Sequence, residues 1–163
     1  MRKLLVILIF TFPAFCFGQS ANSLLTTKHA GEYSWASKNA EGRGGQVTVY
    51  PESNSTILFH LYQNRGEPSF NMGDLYGRVT ITNGTGVFFN KDYPGSNCKF
   101  RLTFIGEKLK IETLESKDEC GFGGGVYADG EFTRTSAKIP EYFEGGERKI
   151  YFKTTKPEQY NKF

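Results

Sequence analysis

Apolar and polar residues alternate in short runs along most of the chain, a pattern typical of β-strands with one buried face. The clearest run covers residues 98–105, in which Phe100, Leu102 and Phe104 share one face and polar residues separate them. Clusters of glycine, asparagine and proline between the runs indicate turns. Eight strands are predicted, near residues 31–37, 46–51, 56–63, 75–82, 86–91, 98–105, 108–114 and 126–134.

Short connections favour antiparallel pairing between neighbouring strands. Asn83 and Gly84 supply the positive φ angles of a hairpin turn between the fourth and fifth strands, and only Gly106 and Glu107 separate the sixth from the seventh. The predicted fold class is all-β: a single antiparallel eight-stranded barrel or a strongly curved meander, followed by a C-terminal extension. Closure of the barrel would remove the exposed strand edges that promote aggregation.

The N-terminal residues have the pattern of an export signal. Two basic residues precede an apolar run from Leu4 to Phe12, and small residues lead to a cleavage site after Gly18. The run is about half of the roughly 20 residues that span a bilayer, which disfavours a retained anchor. Lipoprotein processing before Cys16 is the less favoured alternative, because Phe15 is bulky where such signals have a small residue. The sequence therefore predicts an exported protein, periplasmic or secreted.

These patterns divide the chain into a signal peptide (1–18), a lead-in (19–30), a β-barrel domain (31–134) and a C-terminal extension (135–163). The part that follows the leader is long enough for one domain with its own core. The extension is slightly basic, and its one candidate strand is the alternating stretch KIYFK. It is expected to be solvated.

Charge and composition narrow the classes of partner and fold. Without the leader, which carries Arg2 and Lys3, 18 basic residues face 17 acidic ones, a net charge of +1. Such a balance gives no electrostatic reason to expect nucleic acid or an anionic membrane as partner. The 15 phenylalanines and 9 tyrosines favour strands over an all-helical fold.

Cys98 and Cys120 are the only cysteines after the leader, in a chain predicted to reach an oxidising compartment. They are therefore expected to form a disulfide. On the chain-entropy model the bridge closes a loop of about 23 residues and contributes roughly 3 kcal/mol. The alternatives, two free thiols or a metal site, would require more cysteine or histidine than the chain has.

Catalytic patterns are scarce. His29 and His60 are the only histidines, and His60 is predicted on the strand face opposite Phe59 and Leu61, in a structural or surface role. The sequence has no GxSxG, HxxxH or CxxC motif, so no catalytic residue, metal site or cofactor is predicted. A pair of carboxylates distant in sequence, as in glycoside hydrolysis, stays open as an alternative.

The stretch QNRGEPSFNMGD, between the third and fourth strands, is the longest polar connection within the predicted sheet. Long loops on a rigid sheet often carry binding surfaces, whereas the plain alternative is an ordinary surface loop. The candidate binding residues are Asn64, Arg65, Glu67, Phe70 and Asn71.

A dense glycine cluster, CGFGGGVYADGEF, begins at Cys120. A phosphate-binding loop would follow a strand and open a helix, whereas this segment leads into another strand. A redox motif would require a second cysteine two residues away. The glycines are therefore interpreted as a sharp corner before the last strand, with Tyr127 and Phe132 as packing residues.

The order of these motifs resembles a group of small exported bacterial β-barrel-like domains. The shared features are a cysteine before F.L.F, a later CGFG and DG.F, and an earlier strand over residues 73–81. The resemblance covers residues 31–134 and implies a barrel with a disulfide. In size, export and disulfide the group is similar to the periplasmic inhibitors of lysozyme.

A second resemblance is to lipocalin-like and other calycin barrels. Their first strand begins with glycine, one residue and tryptophan, and their last strand ends near a basic residue. Here Gly31 precedes Tyr33 and Trp35, and Arg134 ends the last predicted strand.

Three functions follow as expectations. The first is an exported, non-catalytic binding module of a protein-binding or hydrolase-inhibitor type. The alternative is a calycin-like carrier of a small apolar ligand, whose phenylalanines would line a cavity. The third is a carboxylate-dependent hydrolase.

Overall fold

The computed structural model describes residues 24–39, 41–90, 97–115 and 120–160. The predicted leader with Cys16 and the first part of the lead-in lie outside the described residues. A 3-10 turn at Leu25–His29 precedes the strands. The elements that follow are β1 Gly31–Ala36, β2 Gly44–Pro51, β3 Thr56–Asn64, β4 Met72–Thr80, β5 Thr85–Phe89, β6 Lys99–Ile105, β7 Lys108–Thr113, β8 Gly130–Ser136, β9 Tyr142–Gly145, β10 Arg148–Tyr151 and a short helix α1 Pro157–Tyr160.

The first eight strands form one antiparallel sheet in the order β4-β3-β2-β1-β8-β7-β6-β5. The two outer strands of this order, β4 and β5, are joined by a turn over residues 81–84, so the sheet curls into a nearly closed barrel, and the all-β prediction is confirmed. Asn83 and Gly84 have φ angles of 51° and 77°, as the hairpin turn between β4 and β5 requires. Beyond that turn, the described parts of β4 and β5 form no ladder, so the barrel has one seam.

Aromatic rings fill the barrel interior. The ring of Phe59 lies 5.2 Å from that of Phe88 and 5.8 Å from that of Phe100. A β-carbon at Gly77 would lie 2.6 Å from the rings of both Phe59 and Phe88, so only glycine fits there. The alternation predicted from sequence therefore produces a packed core, since the inward-facing residues of all eight strands meet at the barrel axis.

The two ends of the barrel differ in loop length. At the turn end, the connections are short and cover residues 52–55, 81–84 and 106–107. At the loop end, four longer connections cover residues 37–43, 65–71, 90–98 and 114–129. Because loops of this length on a rigid scaffold can carry recognition surfaces, the loop end is the candidate functional face.

The last barrel strand begins four residues later than predicted, at Gly130 instead of residue 126. The carboxylate of Asp129 accepts hydrogen bonds from the backbone N–H of Thr113, at 3.1 Å, and from its hydroxyl, at 2.6 Å. These bonds tie the chain to the end of β7 just before β8 begins. Phe132 is buried as expected, whereas Tyr127 lies in the loop and is exposed, which corrects its predicted packing role.

The candidate strand predicted in the extension is confirmed as β10, whereas the prediction that the extension is solvated is wrong. Residues 142–151 form two strands, β9 and β10, which pair as a hairpin. Phe143 and Phe152 are buried against Leu58 and Tyr76, two side chains on the outer face of β3 and β4. The reason is that β3 is apolar on both faces, and its outer face is covered by this hairpin instead of water.

His60 lies beneath the C-terminal hairpin. Its Nε2 is 3.0 Å from the Asp74 carboxylate, and its ring stacks on Phe143 with 3.9 Å between centroids. The hydroxyl of Tyr160, on α1, donates a hydrogen bond of 2.9 Å to the same carboxylate. His60 therefore connects the barrel to the C-terminal segment, and it lies on the outer face that the alternation predicted.

Charged groups attach the same segment to β4. Arg78 donates a 2.7 Å hydrogen bond to the Glu52 carboxylate and also pairs with Glu158. The Lys156 ammonium lies 3.0 Å from Glu52. Burial of Glu52 opposes its ionisation, but the hydrogen bonds from Arg78 and Lys156 outweigh that effect, so the pKa of this carboxyl lies below its ordinary value.

Among the residues that the structure describes, no helix has the length and apolar content needed to cross a bilayer.

Candidate functional site

The predicted disulfide is present at the loop end. Cys98 and Cys120 are bonded, and their Cα atoms are 4.4 Å apart. Cys98 is buried immediately before β6, whereas Cys120 begins the glycine-rich corner in the β7–β8 connection. The bridge thus joins two of the long connections. Disulfides persist in oxidising compartments, so the bridge is compatible with the location outside the cytoplasm that the sequence predicts.

The corner reaches across the barrel mouth to β4. The backbone N–H of Gly123 donates a 2.9 Å hydrogen bond to the carbonyl of Met72. The ring of Phe122 packs on Gly73 so closely that a β-carbon there would overlap it. The glycines, interpreted from sequence as a corner, therefore let backbone approach backbone, and the disulfide fixes where the corner starts.

Three of the five candidate binding residues hold the β3–β4 loop in place. The Asn64 side-chain oxygen accepts a 2.6 Å hydrogen bond from the N–H of Gly66. The side chains of Arg65 and Asn71 both donate to the carbonyl of Gly124, at 3.3 and 2.8 Å. The structure thus gives these residues positioning roles between the loop and the corner.

The other two candidates, Glu67 and Phe70, face outward. The N–H of Glu67 donates to the carbonyl of Glu41, 3.2 Å away, which ties the loop to the β1–β2 connection. The side chain of Phe70 is 48% exposed, and part of its ring lies over Gly42. The β3–β4 loop therefore contacts both the corner and the β1–β2 connection, and Phe70 lies at its surface.

Four further exposed apolar side chains lie at this end of the barrel among the described residues: Met72, Phe89, Leu114 and Tyr127. Met72, the first residue of β4, is 56% exposed, and Tyr127 in the β7–β8 connection is 42% exposed. Sequence reasoning missed Met72 because it took the strand to begin at residue 75. It misassigned Tyr127 because it placed that residue in a strand. The outward position of Met72 could have been found from its alternation with Gly73 and Leu75.

A hydrogen-bonded pair closes the barrel beneath the loops. The indole N–H of Trp35 donates a 3.0 Å hydrogen bond to the side-chain oxygen of Gln63, which is only 3% exposed. The side-chain amide of Gln63 in turn donates to the carbonyls of Ala128 and Asp129, at 3.4 and 3.2 Å. Gln63 thus links β1, β3 and the chain entering β8.

Replacing Gln63 by leucine is expected to lower the free energy of unfolding by about 1–3 kcal/mol, since it leaves the Trp35 N–H and two carbonyls without this partner. Urea unfolding followed by circular dichroism measures the change in every variant. The double variant Gln63→Leu/Trp35→Phe removes donor and acceptor together and should recover part of the loss. Equal stability of wild type and Gln63→Leu would show that the hydrogen bonds of Gln63 do not stabilise the barrel.

At the turn end, the side chains of Arg134 and His29 both pack against aromatic rings of the barrel. The Arg134 guanidinium lies 5.8 Å from the ring centre of Tyr33 and donates a hydrogen bond to the carbonyl of Ala30. The His29 ring stacks on Phe104, with 4.3 Å between centroids. Burial lowers the pKa of the His29 imidazole, and the nearby positive charges of Lys28 and Arg134 lower it further. These groups cover the barrel end opposite the loops.

Two acidic side chains line the same groove beside the barrel. Glu32 on β1 and Glu141 before β9 both line a groove of about 240 Å³, together with Lys138 and Tyr142. The hydrolase alternative would place its two carboxylates here. Among the described ranges, no three histidine, cysteine, aspartate or glutamate side chains are grouped so that they could hold a metal ion.

Comparison of the chain with protein families, with characterised proteins and with solved structures finds no match. The function therefore has to be inferred from the geometry of the loop end.

Proposed function

We propose that this protein is an exported, non-catalytic binding module that recognises another protein through the loop end of its barrel. The observation that carries the proposal is the group of exposed apolar side chains, Phe70, Met72 and Tyr127, on segments tied to a rigid scaffold. Aromatic residues and methionine are enriched in protein interfaces, and aromatic residues often dominate the binding energy. The export leader and the disulfide support a function outside the cytoplasm.

The rigidity of the loops supports recognition of a specific partner. Hydrogen bonds join the β3–β4 loop to the corner through Gly124 and to the β1–β2 connection through Glu41. A surface ordered before binding loses less conformational entropy when the complex forms. This suits a protein-binding or hydrolase-inhibitor-like domain.

The packed interior favours protein binding over the carrier alternative. A carrier needs an open cavity of several hundred cubic ångströms, whereas Phe59, Phe88 and Phe100 meet at the axis of this barrel. The likeness to calycins concerns Gly31, Tyr33, Trp35 and Arg134. It bears on architecture more than on ligand, because Trp35 is engaged by a hydrogen bond to Gln63 within the barrel.

The test is retention of cell-envelope proteins by the immobilised mature chain. A loop-end variant, Phe70→Ser/Met72→Ser/Tyr127→Ser, is expected to reduce retention of a specific protein at least about tenfold. The matched control is a turn-end variant, Leu25→Ser/Ile105→Ser, which changes two exposed apolar residues on the opposite end and should leave retention unchanged. Equal retention by all three proteins would reject the loop end as the binding surface. Saturable binding of a fluorescent fatty acid would instead favour the carrier.

A further inference from the structure

The backbone at Phe70 has a conformation that aromatic residues rarely adopt. Its φ angle is 48°, in the left-handed region where a β-carbon is crowded by the neighbouring carbonyl. Of the described residues other than glycine, only Phe70 and Asn83 have positive φ, and Asn83 occupies a hairpin turn that requires it. Strained residues of this kind persist only where their surroundings hold them, and they are concentrated at functional sites.

Hydrogen bonds hold the strained residue from both sides. The N–H of Phe70 donates to the carbonyl of Gly66, at 2.8 Å, and the N–H of Arg65 donates to the carbonyl of Asn71, at 2.9 Å. Contact of the ring with Gly42 fixes the side chain in addition. These contacts hold Phe70 in its left-handed conformation within the loop.

The tip of the loop is exposed to solvent. The four consecutive residues 67–70 are all exposed, and Phe70 is the one large apolar side chain among them. An extended peptide binds along a groove or a free strand edge, whereas residues 67–70 form a turn between β3 and β4. A projecting ring is best buried in a pocket on the partner, because binding hot spots are aromatic groups that fill desolvated pockets.

We propose that Phe70 is the anchor of the binding surface and that the partner is a folded protein with a concave apolar pocket for its ring. This inference rests on the proposed function and adds to it the shape of the partner and the residue that dominates recognition. The strained backbone holds the ring in its bound orientation before binding, which lowers the entropic cost of association.

The test uses photocrosslinking to solubilised envelope proteins of the producing cell. Met72, exposed at the same end, is replaced by a photoreactive phenylalanine analogue, and unlabelled domains compete for the crosslinked adduct. Wild type and Ile105→Asn, a control at the exposed turn end, are expected to compete at equal concentrations. Phe70→Asn should require at least about 30-fold more protein, the ratio that corresponds to loss of a hot-spot residue. Asparagine tolerates positive φ, so this variant removes the ring while keeping the backbone conformation.

The outcomes separate the anchor role from the function on which it rests. Equal competition by Phe70→Asn and wild type would overturn the anchor role and leave the loop-end surface standing. Absence of any adduct for which wild type competes would reject the proposed function and the anchor together. If Phe70→Asn melts well below wild type, Phe70→Leu replaces it. The Phe70→Leu variant should require more protein than wild type but less than the 30-fold excess expected of Phe70→Asn, and competition equal to wild type would overturn the anchor role.

Discussion

Replacing Phe152 by alanine is expected to lower the free energy of unfolding by about 3–5 kcal/mol, the usual cost of removing a buried phenylalanine. The Phe152 ring is fully buried, and its centre lies 5.2 Å from that of Tyr50, 5.4 Å from that of Phe143 and 5.7 Å from that of Tyr76. Its loss would open a cavity between the C-terminal hairpin and the barrel. Denaturant unfolding with two probes, circular dichroism and Trp35 fluorescence, measures the effect on the whole protein.

The neighbouring residue provides the control. Tyr151, the last residue of β10, is 47% exposed, so Tyr151→Ala is expected to change the free energy of unfolding by less than about 1 kcal/mol. If Phe152→Ala has an equally small effect, the hairpin does not stabilise the barrel. If the circular dichroism transition is unchanged while the hairpin amides exchange freely with solvent, the hairpin unfolds by itself.

Removing the disulfide with the double variant Cys98→Ala/Cys120→Ala is expected to destabilise the protein by roughly 3 kcal/mol. The reason is that the unfolded chain regains the conformational entropy that the bridge removes when it closes a loop. The two cysteines are 22 positions apart in the sequence. Alanine is chosen because Cys98 is buried and a serine hydroxyl there would need a hydrogen-bond partner. The midpoint of urea unfolding measures the loss.

Reduction of the wild type under the same conditions is the control and should reproduce the shift. The amide of Gly123, which donates to Met72, is expected to exchange faster in both cases, since the corner loses its covalent attachment. A shift below about 1 kcal/mol would indicate that the corner holds its conformation through hydrogen bonds and Phe122 alone.

The barrel could be predicted because local patterns determine it. Residues 98–105 alternate cleanly, and the turn at Asn83 and Gly84 requires φ angles that those residues adopt readily. The covering of β3 by the C-terminal hairpin could not be predicted in the same way. Leu58 and His60 alternate with buried residues, so they look like the solvated face of a strand until the hairpin is placed against them.

The candidate site was predicted in part. Loop length pointed to Phe70, because connections between regular strands are short unless they have another role. The roles of Arg65 and Asn71 depend on the carbonyl of Gly124, which is more than 50 residues away in the sequence. The left-handed backbone of Phe70 is likewise set by tertiary contacts, since no local preference for it exists in an aromatic residue.

The polarity of the barrel has a practical consequence for experiments that attach the protein to a surface. β1 begins and β8 ends at the turn end, so a tether joined before Gly31 pulls from the side opposite to Phe70. A domain immobilised through its N-terminus would therefore display the loop end toward solution. The same geometry makes the β3–β4 loop a place to graft foreign binding sequences, because the graft would leave the barrel and the N-terminal tether unchanged.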